Sequence, residues 1–250
     1  MKYTLDFPFQ LVYQPEMDST SRVLRQRCED GILDEYTVVI TDFQTAGRGQ
    51  RGNVWESEKD KNLMFSFLLT PTFLPANQQF LLSQIISLAI KDVLDTYCDD
   101  ISIKWPNDIY WRDKKICGML IEHSLQGSNL SYTIVGIGLN INQEKFLSPA
   151  PNPISLRQIT GMEHDASVIL RQVLSRVLYY YGLLQRGDVG LIPSLYYNAL
   201  FRKNQVATFQ DREGTFDGAI VRVEPSGLLV LQRTDGMEQA YAFKEIAYVL

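Results

Sequence analysis

Residues 101–138 read ISIKWPNDIYWRDKKICGMLIEHSLQGSNLSYTIVGIG. Residues of high β-propensity crowd into four runs, 101–105, 108–111, 115–123 and 130–138, with turn-prone residues between them. Pro106 ends the first run, and Asn107-Asp108 is a turn-prone pair. Arg112-Asp113 joins the second run to the third, and Gly127-Ser128-Asn129 marks a hairpin between the third and fourth. Consecutive strands on short turns predict the heart of a sheet.

Outward from there, the clearest helix precedes it at 78–97. Leu81, Leu82, Ile85, Ile86, Ala89, Ile90, Val93, Leu94 and Tyr97 make a wide apolar stripe at helical spacing. Earlier still, Asp18 to Ser21 offer N-caps for a short helix over 21–29, with Gly31 as its stop. Runs 36–41 (YTVVIT) and 62–69 (NLMFSFLL) read as strands, with a glycine-rich polar stretch at 44–53 between them. Past the four strands, 142–161 reads as a proline-bearing loop. A second long helix is predicted over 165–185 and a shorter one near 190–201. From 203 short strand-like runs alternate with turn signals at 211–214, 224–227 and 235–236, which suggests a small β-barrel or sandwich. A boundary near 202 divides the chain into 1–202 and 203–250.

The 250 residues are 45% hydrophobic and 21% charged, enough apolar material for a core, with a formal charge of -5. No broad basic field is available for a nucleic-acid backbone, so nucleic acid is not an expected partner. No apolar run approaches the roughly 18 residues of a membrane span, and the first ten residues do not read as a signal peptide. Cys28, Cys98 and Cys117 are an odd, widely spaced set, read as free thiols of a reducing, cytoplasmic compartment. With only His123 and His164 and no metal-binding spacing, a zinc site is not expected.

Gly47-Arg48-Gly49-Gln50-Arg51-Gly52 matches GxGxxG. A dinucleotide-binding turn would need a helix to open at Gly52, but a polar run and then a strand follow. A kinase loop would need a catalytic HRD and a metal-holding DFG, and neither is present. The remaining readings are a solvated hairpin tip and a loop that closes over an anion. In the latter, glycines let N–H groups approach a phosphate or carboxylate while Arg48 and Arg51 bring fixed charge.

A second cluster is Lys104-Trp105-Pro106-Asn107-Asp108, then Lys114 to Glu122. Asp108 could help hold Mg²⁺ through its oxygens. If the strand is regular, Lys115, Cys117, Met119 and Ile121 share one face, and Lys114, Ile116, Gly118, Leu120 and Glu122 the other. A lysine opening an apolar face either pairs with an anion or snorkels at the strand end.

Together, Asp18-Ser19-Thr20, Gln44 to Gly52 with Trp55, Lys104 to Asp108, Lys115-Ile116-Cys117-Gly118 and Gly136-Ile137-Gly138-Leu139-Asn140 resemble the biotin protein ligases. The resemblance spans about 18–160, and the tail resembles that family's SH3-like domain. It implies an α+β fold with a central mixed sheet backed by helices. It implies ATP-dependent formation of biotinyl-AMP and transfer of biotin to a lysine of a biotin carboxyl carrier protein, with Mg²⁺. Lys115 is then expected to bridge the biotin carboxylate and the α-phosphate, with Arg48 and Arg51 drawing the loop closed. Biotin would be met by Ser19, Thr20, Gln44, Gly47, Gly49, Gln50 and Gly118, and the nucleotide by Arg51, Trp55, Asn107 and Asn140. Asp108 would serve the metal, and the loop after Asn142 would order over AMP.

Gln50 departs from the family, where a basic residue is common, and Cys117 stands where alanine often does. Ser19 and Thr20 lie so near the start that no DNA-binding domain is expected before them. A lipoate ligase on the same fold and a non-catalytic biotin or nucleotide sensor are the rival functions. Monomer and homodimer are both open.

Overall fold

The computed structural model describes residues 2–6, 8–49, 54–147 and 152–249. Strands β1 (Gln10–Tyr13), β2 (Glu16–Met17), β3 (Thr37–Thr41), β4 (Phe43–Gln44) and β5 (Leu63–Leu69) alternate with helix α1 (Thr20–Glu29) in the first third. Helix α2 (Phe80–Leu94) follows, then β6 (Ile101–Lys104), β7 (Asp108–Trp111), β8 (Lys114–Gln126) and β9 (Asn129–Leu139). Helices α3 (Leu156–Thr160), α4 (Ala166–Gln185) and α5 (Ile192–Asn198) lead into β10 (Ala207–Asp211), β11 (Gly214–Val223), β12 (Leu229–Arg233), β13 (Glu238–Tyr241) and β14 (Ala247–Tyr248).

Among the described residues the main sheet has seven strands in the order β1-β3-β5-β9-β8-β7-β6. It is mixed: β1 runs parallel to β3, and the remaining pairs are antiparallel. The four expected strands at 101–138 form one edge of this sheet as a meander, because their connections are too short for crossovers.

The side-chain period of two sorts the central strands between two covers. Val38 and Ile40, with Leu63, Phe65, Phe67 and Leu69, point into the large core, which includes the apolar faces of α2 and α4. Val39 and Leu68 point the other way, onto Leu24 and Cys28 of α1. Both faces are covered, so every residue of β3 and β5 is buried, and their sequences are near-continuous apolar runs. Leu170 of α4 is fully buried in this core. Leu170→Ala is expected to cost about 2–5 kcal/mol, seen as a lower urea midpoint with an unchanged m-value.

Two local readings differ from the structure. The stretch 142–161 carries a helical turn, α3, which the prolines obscured. Ser155 accepts from the Gln158 N–H while the Gln158 side chain accepts from the Ser155 N–H, and Gly161 at φ 75° ends the turn. The second difference is in β8. Its register steps from Tyr110↔Lys115 to Ile109↔Cys117, so a β-bulge interrupts the alternation around Ile116.

The C-terminal strands form a separate five-stranded antiparallel sheet in the order β13-β12-β11-β10-β14. It is joined to the rest through Trp105, whose Nε1 donates to the Gly227 carbonyl at 2.9 Å, and Tyr197, whose hydroxyl donates to the Ile220 carbonyl at 3.2 Å. No helix among the described residues is long and apolar enough to cross a membrane.

Candidate active site

A cavity of about 790 Å³ opens where β5, β8 and β9 meet the N-terminus of α1, the 44–55 segment and the C-terminal sheet. At one end, polar groups form a chain. Gln44 Oε1 accepts from the Thr20 N–H at 2.8 Å and from its hydroxyl at 3.2 Å. The Thr20 hydroxyl also meets Ser66 Oγ at 2.8 Å, and Ser19 Oγ meets Ser21 Oγ at 3.0 Å. Ser19, Thr20, Ser21 and Ser66 are all buried. Short hydroxyls and an amide at a helix start can match a small head group bearing both donors and acceptors.

The floor is glycine. Gly118 and Gly138 face each other across β8 and β9. The indole of Trp55 lies on them. A Cβ on Gly138 would stand 2.3 Å from Trp55 Cε2, and one on Gly118 would stand 2.9 Å from Trp55 Cζ3. Any side chain at either position would displace the ring. Gly47 does the same service for the loop: a Cβ there would meet the Trp55 carbonyl oxygen at 2.6 Å. Gly47 therefore does not line the cavity but packs behind Trp55, whose backbone N–H donates to the Gly47 carbonyl at 3.1 Å.

The bulge at Ile116 sets the chemistry of the floor. A regular strand would put Lys115 on the opposite face from Gly118. With the bulge, Lys115 returns to the Gly118 side, its Nζ 3.1 Å from a Cβ built on that glycine. The ammonium donates to Asp108 Oδ2 at 2.7 Å and lies 5.9 Å from the Trp55 ring centroid. Ile116 and Cys117 turn into the core, both fully buried. Burial raises the Cys117 thiol well above the ordinary range, so it stays neutral.

Arg48 pairs across the loop base with Val54, and its guanidinium lies 3.7 Å from Glu122 Oε1. Arg25 holds the same carboxylate oxygen at 2.7 Å. The described start of the glycine-rich segment is thus docked on β8 through Arg48, and residues 54–62 form no helix, contrary to a dinucleotide turn. Gln50 and Arg51 lie outside the described residues.

Asn107 and Asn140 line the cavity. The Asn107 amide donates to the Met119 carbonyl at 2.9 Å, so it fixes the turn before β7 against β8. Asn140 donates to the Ile154 carbonyl at 3.1 Å, while its buried Oδ1 has no partner among the described residues. That orphan acceptor suits a ligand N–H.

The structure therefore gathers Ser19, Thr20, Gln44, Arg48, Gly49, Trp55, Asn107, Asp108, Lys115, Gly118 and Asn140 around one cavity. Sequence reading named Lys104 only within the Lys104–Asp108 run, without a role, and missed Ser66, Tyr110 and the wall contributed by Phe243, Ile246, Ala247 and Tyr248. Ser66 sits inside an apolar strand, and that lone polar residue was the available signal. The C-terminal wall left no local signal, because only packing brings it near. Among the described residues no group of three His, Cys, Asp or Glu side chains could hold a metal by itself.

A glycine floor under an indole, a hydroxyl-lined bay and paired cations define a site for a small acid and a phosphate-bearing partner. The chain belongs to the Biotin/lipoate A/B protein ligase family, whose model matches residues 13–140. It is 28% identical over 241 residues to the bifunctional ligase/repressor BirA of Bacillus spizizenii, covering 93% of this chain and 72% of that protein. The Escherichia coli protein of the same name is 34% identical over 184 residues, covering 72% of this chain and 56% of that one. The fold superposes with a TM-score of 0.78 on the biotin protein ligase from Aquifex aeolicus in complex with biotin and ATP, at 26% identity, covering 96% and 98% of the two chains.

Proposed function

We propose that the chain activates biotin with ATP and transfers it to a lysine of a biotin carboxyl carrier protein. The observation that carries this reading is one cavity holding the Ser19–Thr20–Gln44–Ser66 bay at one end and the Lys115–Asp108 pair on the glycine floor. The ureido head of biotin presents two N–H donors and a carbonyl acceptor, which the bay can answer. Its valeryl chain then runs from the bay past the Trp55 indole that covers the glycines, and its carboxylate reaches Lys115.

In the first step a carboxylate oxygen attacks the α-phosphorus of ATP and pyrophosphate departs. Two anions must approach each other, so a cation between them dominates the barrier. Lys115 fills that place, held ready by Asp108. Trp55 and Asn140 take the adenine side: the indole offers a stacking face and Asn140 Oδ1 an acceptor. Arg48 is the described arginine of the loop that would close over the mixed anhydride and keep water from it. In the second step the carrier lysine attacks the anhydride carbonyl and AMP leaves.

Mg²⁺ would be the metal that accompanies the triphosphate. The ion takes oxygen ligands, and Asp108, whose Oδ2 accepts from Lys115, would be the protein group to hold it. When bound, it neutralises phosphate charge. The C-terminal sheet, read as SH3-like, closes the cavity wall and forms the second domain, with the boundary near 202.

The test is biotin-dependent exchange of labelled pyrophosphate into ATP, with lipoate as the control acid. Exchange with biotin alone is expected. Exchange with lipoate alone would move the substrate, and none with either acid would favour a sensor. Within the bay, Thr20→Val removes one hydroxyl from two partners. It is expected to raise the biotin KM about tenfold with little change in kcat, the size of a lost buried hydrogen bond.

A further inference from the structure

Asp42 is a buried carboxylate that the steps above do not use, 6% exposed and placed between the end of β3 and Gln44. Its Oδ1 accepts from Lys2 Nζ at 2.5 Å and from the Tyr3 hydroxyl at 3.4 Å, and its Oδ2 accepts from the Tyr13 hydroxyl. The same Lys2 ammonium donates to Asp60 Oδ1 at 2.7 Å. The Asp60 N–H in turn donates to the Asp42 carbonyl at 3.1 Å. Asp60 is held there at φ 63°, in the left-handed region that a non-glycine residue enters only at some cost.

These two carboxylates bracket the glycine-rich segment. Asp42 precedes Gln44 by two positions, and Asp60 follows Trp55 by five. One ammonium and one backbone bond therefore close the stem of the segment that carries Gln44, Arg48 and Trp55. A buried ion pair seldom stabilises a fold more than apolar packing would, and its best-attested use is to fix register. The register fixed here is that of the stem. After Asp42, Thr41 Oγ1 donates to the Phe43 carbonyl at 3.0 Å, and Gln44 then meets the Thr20 N–H at 2.8 Å. On the returning side the Asn142 N–H donates to the carbonyl of Lys61 at 2.7 Å, so the stem also touches the loop after β9.

We propose that Lys2, Tyr13, Asp42 and Asp60 form a clasp at the stem of the 43–59 segment, which positions Gln44 for biotin and holds the segment over biotinyl-AMP. This rests on the ligase reading and extends it. None of the four lines the cavity, so they are positioning residues that act through Gln44 and the loop it opens. Lys2 offsets the repulsion between the two carboxylates it joins. Removing its charge leaves a buried Asp42 beside a second anion, and the stem can relieve that only by parting. Tyr13, at the end of β1, ties the clasp to the edge of the main sheet.

The test is hydrogen exchange of the amides of 43–49 and 54–59 in the ligand-free full chain, alongside calorimetric titration of biotin, for Lys2→Met and Lys2→Arg. In Lys2→Met those amides are expected to exchange faster and biotin to bind about twofold to fivefold more weakly, the scale of a partly exposed ion pair. Lys2→Arg should restore most of both. The kcat at saturating biotin should hold, because Lys115 and Asp108 lie outside the segment. In a Gln44→Ala background, Lys2→Met should weaken biotin no further. Parental amide exchange and parental biotin affinity in Lys2→Met overturn the clasp. So does a loss of biotin affinity that persists in full in Gln44→Ala, or a lower melting temperature with parental exchange of the segment, either of which would make Lys2 a plain structural tie. Faster exchange of the segment in Lys2→Met, in a protein without biotin-dependent pyrophosphate exchange, would overturn the ligase reading and leave the clasp standing. Normal pyrophosphate exchange, with segment amides indifferent to Lys2→Met, would do the reverse.

Discussion

Lys115→Ala is expected to fold as the parent does and to lose at least about a hundredfold in the rate of biotinyl-AMP formation, the scale of removing a major transition-state charge partner. The fold should hold because the Lys115 side chain is 28% exposed and its partner Asp108 29% exposed, so water can solvate the orphaned carboxylate. Catalysis should not hold, because the ammonium is the described cation beside the glycine floor, where the two anions would meet. Single-turnover formation of biotinyl-AMP measures the loss, and circular dichroism with a urea titration checks the fold. Lys114 is exposed and lies outside the cavity wall, so Lys114→Ala should behave as the parent protein. Near-normal turnover of Lys115→Ala would remove the assignment.

Gly138→Ala is the second large effect. Its new methyl would lie 2.3 Å from Trp55 Cε2 and 2.7 Å from Cζ2 and Nε1. No rotation of a methyl relieves that overlap, so the indole must leave its seat. Overpacking of this kind costs about 1–3 kcal/mol, which corresponds to roughly a fivefold to hundredfold weaker grip on biotinyl-AMP. The melting temperature should fall by about 2–4 °C for each kcal/mol of that cost that is felt without ligand, while the β8–β9 ladder stays paired. Trp55 fluorescence should report the displacement directly. A variant with parental fluorescence and parental retention of the intermediate would show that the ring does not need the glycine.

The contrast between these positions explains what could be read in advance. The elements around 101–138 were legible because turns and apolar runs are local signals. The apolar stripe of 78–97 was legible because a helix buries one face. Glycines 118 and 138 belonged to motifs, but their joint use under one indole depends on β8 and β9 pairing in register and on a loop more than sixty residues away. The turn α3 was hidden because the prolines flanking it dominate the local composition, while its capping box needs a register no propensity reveals.

The residue pattern by itself determined the longer helices and the strands β3 and β5 to β9, though not β1 or α3, together with the family resemblance and eleven of the groups that line the cavity. Tertiary structure decided three further matters. It placed Lys115 on the glycine side, because a bulge opposite Ile109 and Tyr110 breaks the strand period, and bulges follow from pairing rather than from sequence alternation. It brought Ser66 to Thr20, because a residue of a buried strand meets whatever helix covers its face. It also added Lys104 and Tyr248 to one wall, because contacts between residues 144 positions apart are set by how two sheets pack, and no local signal encodes that.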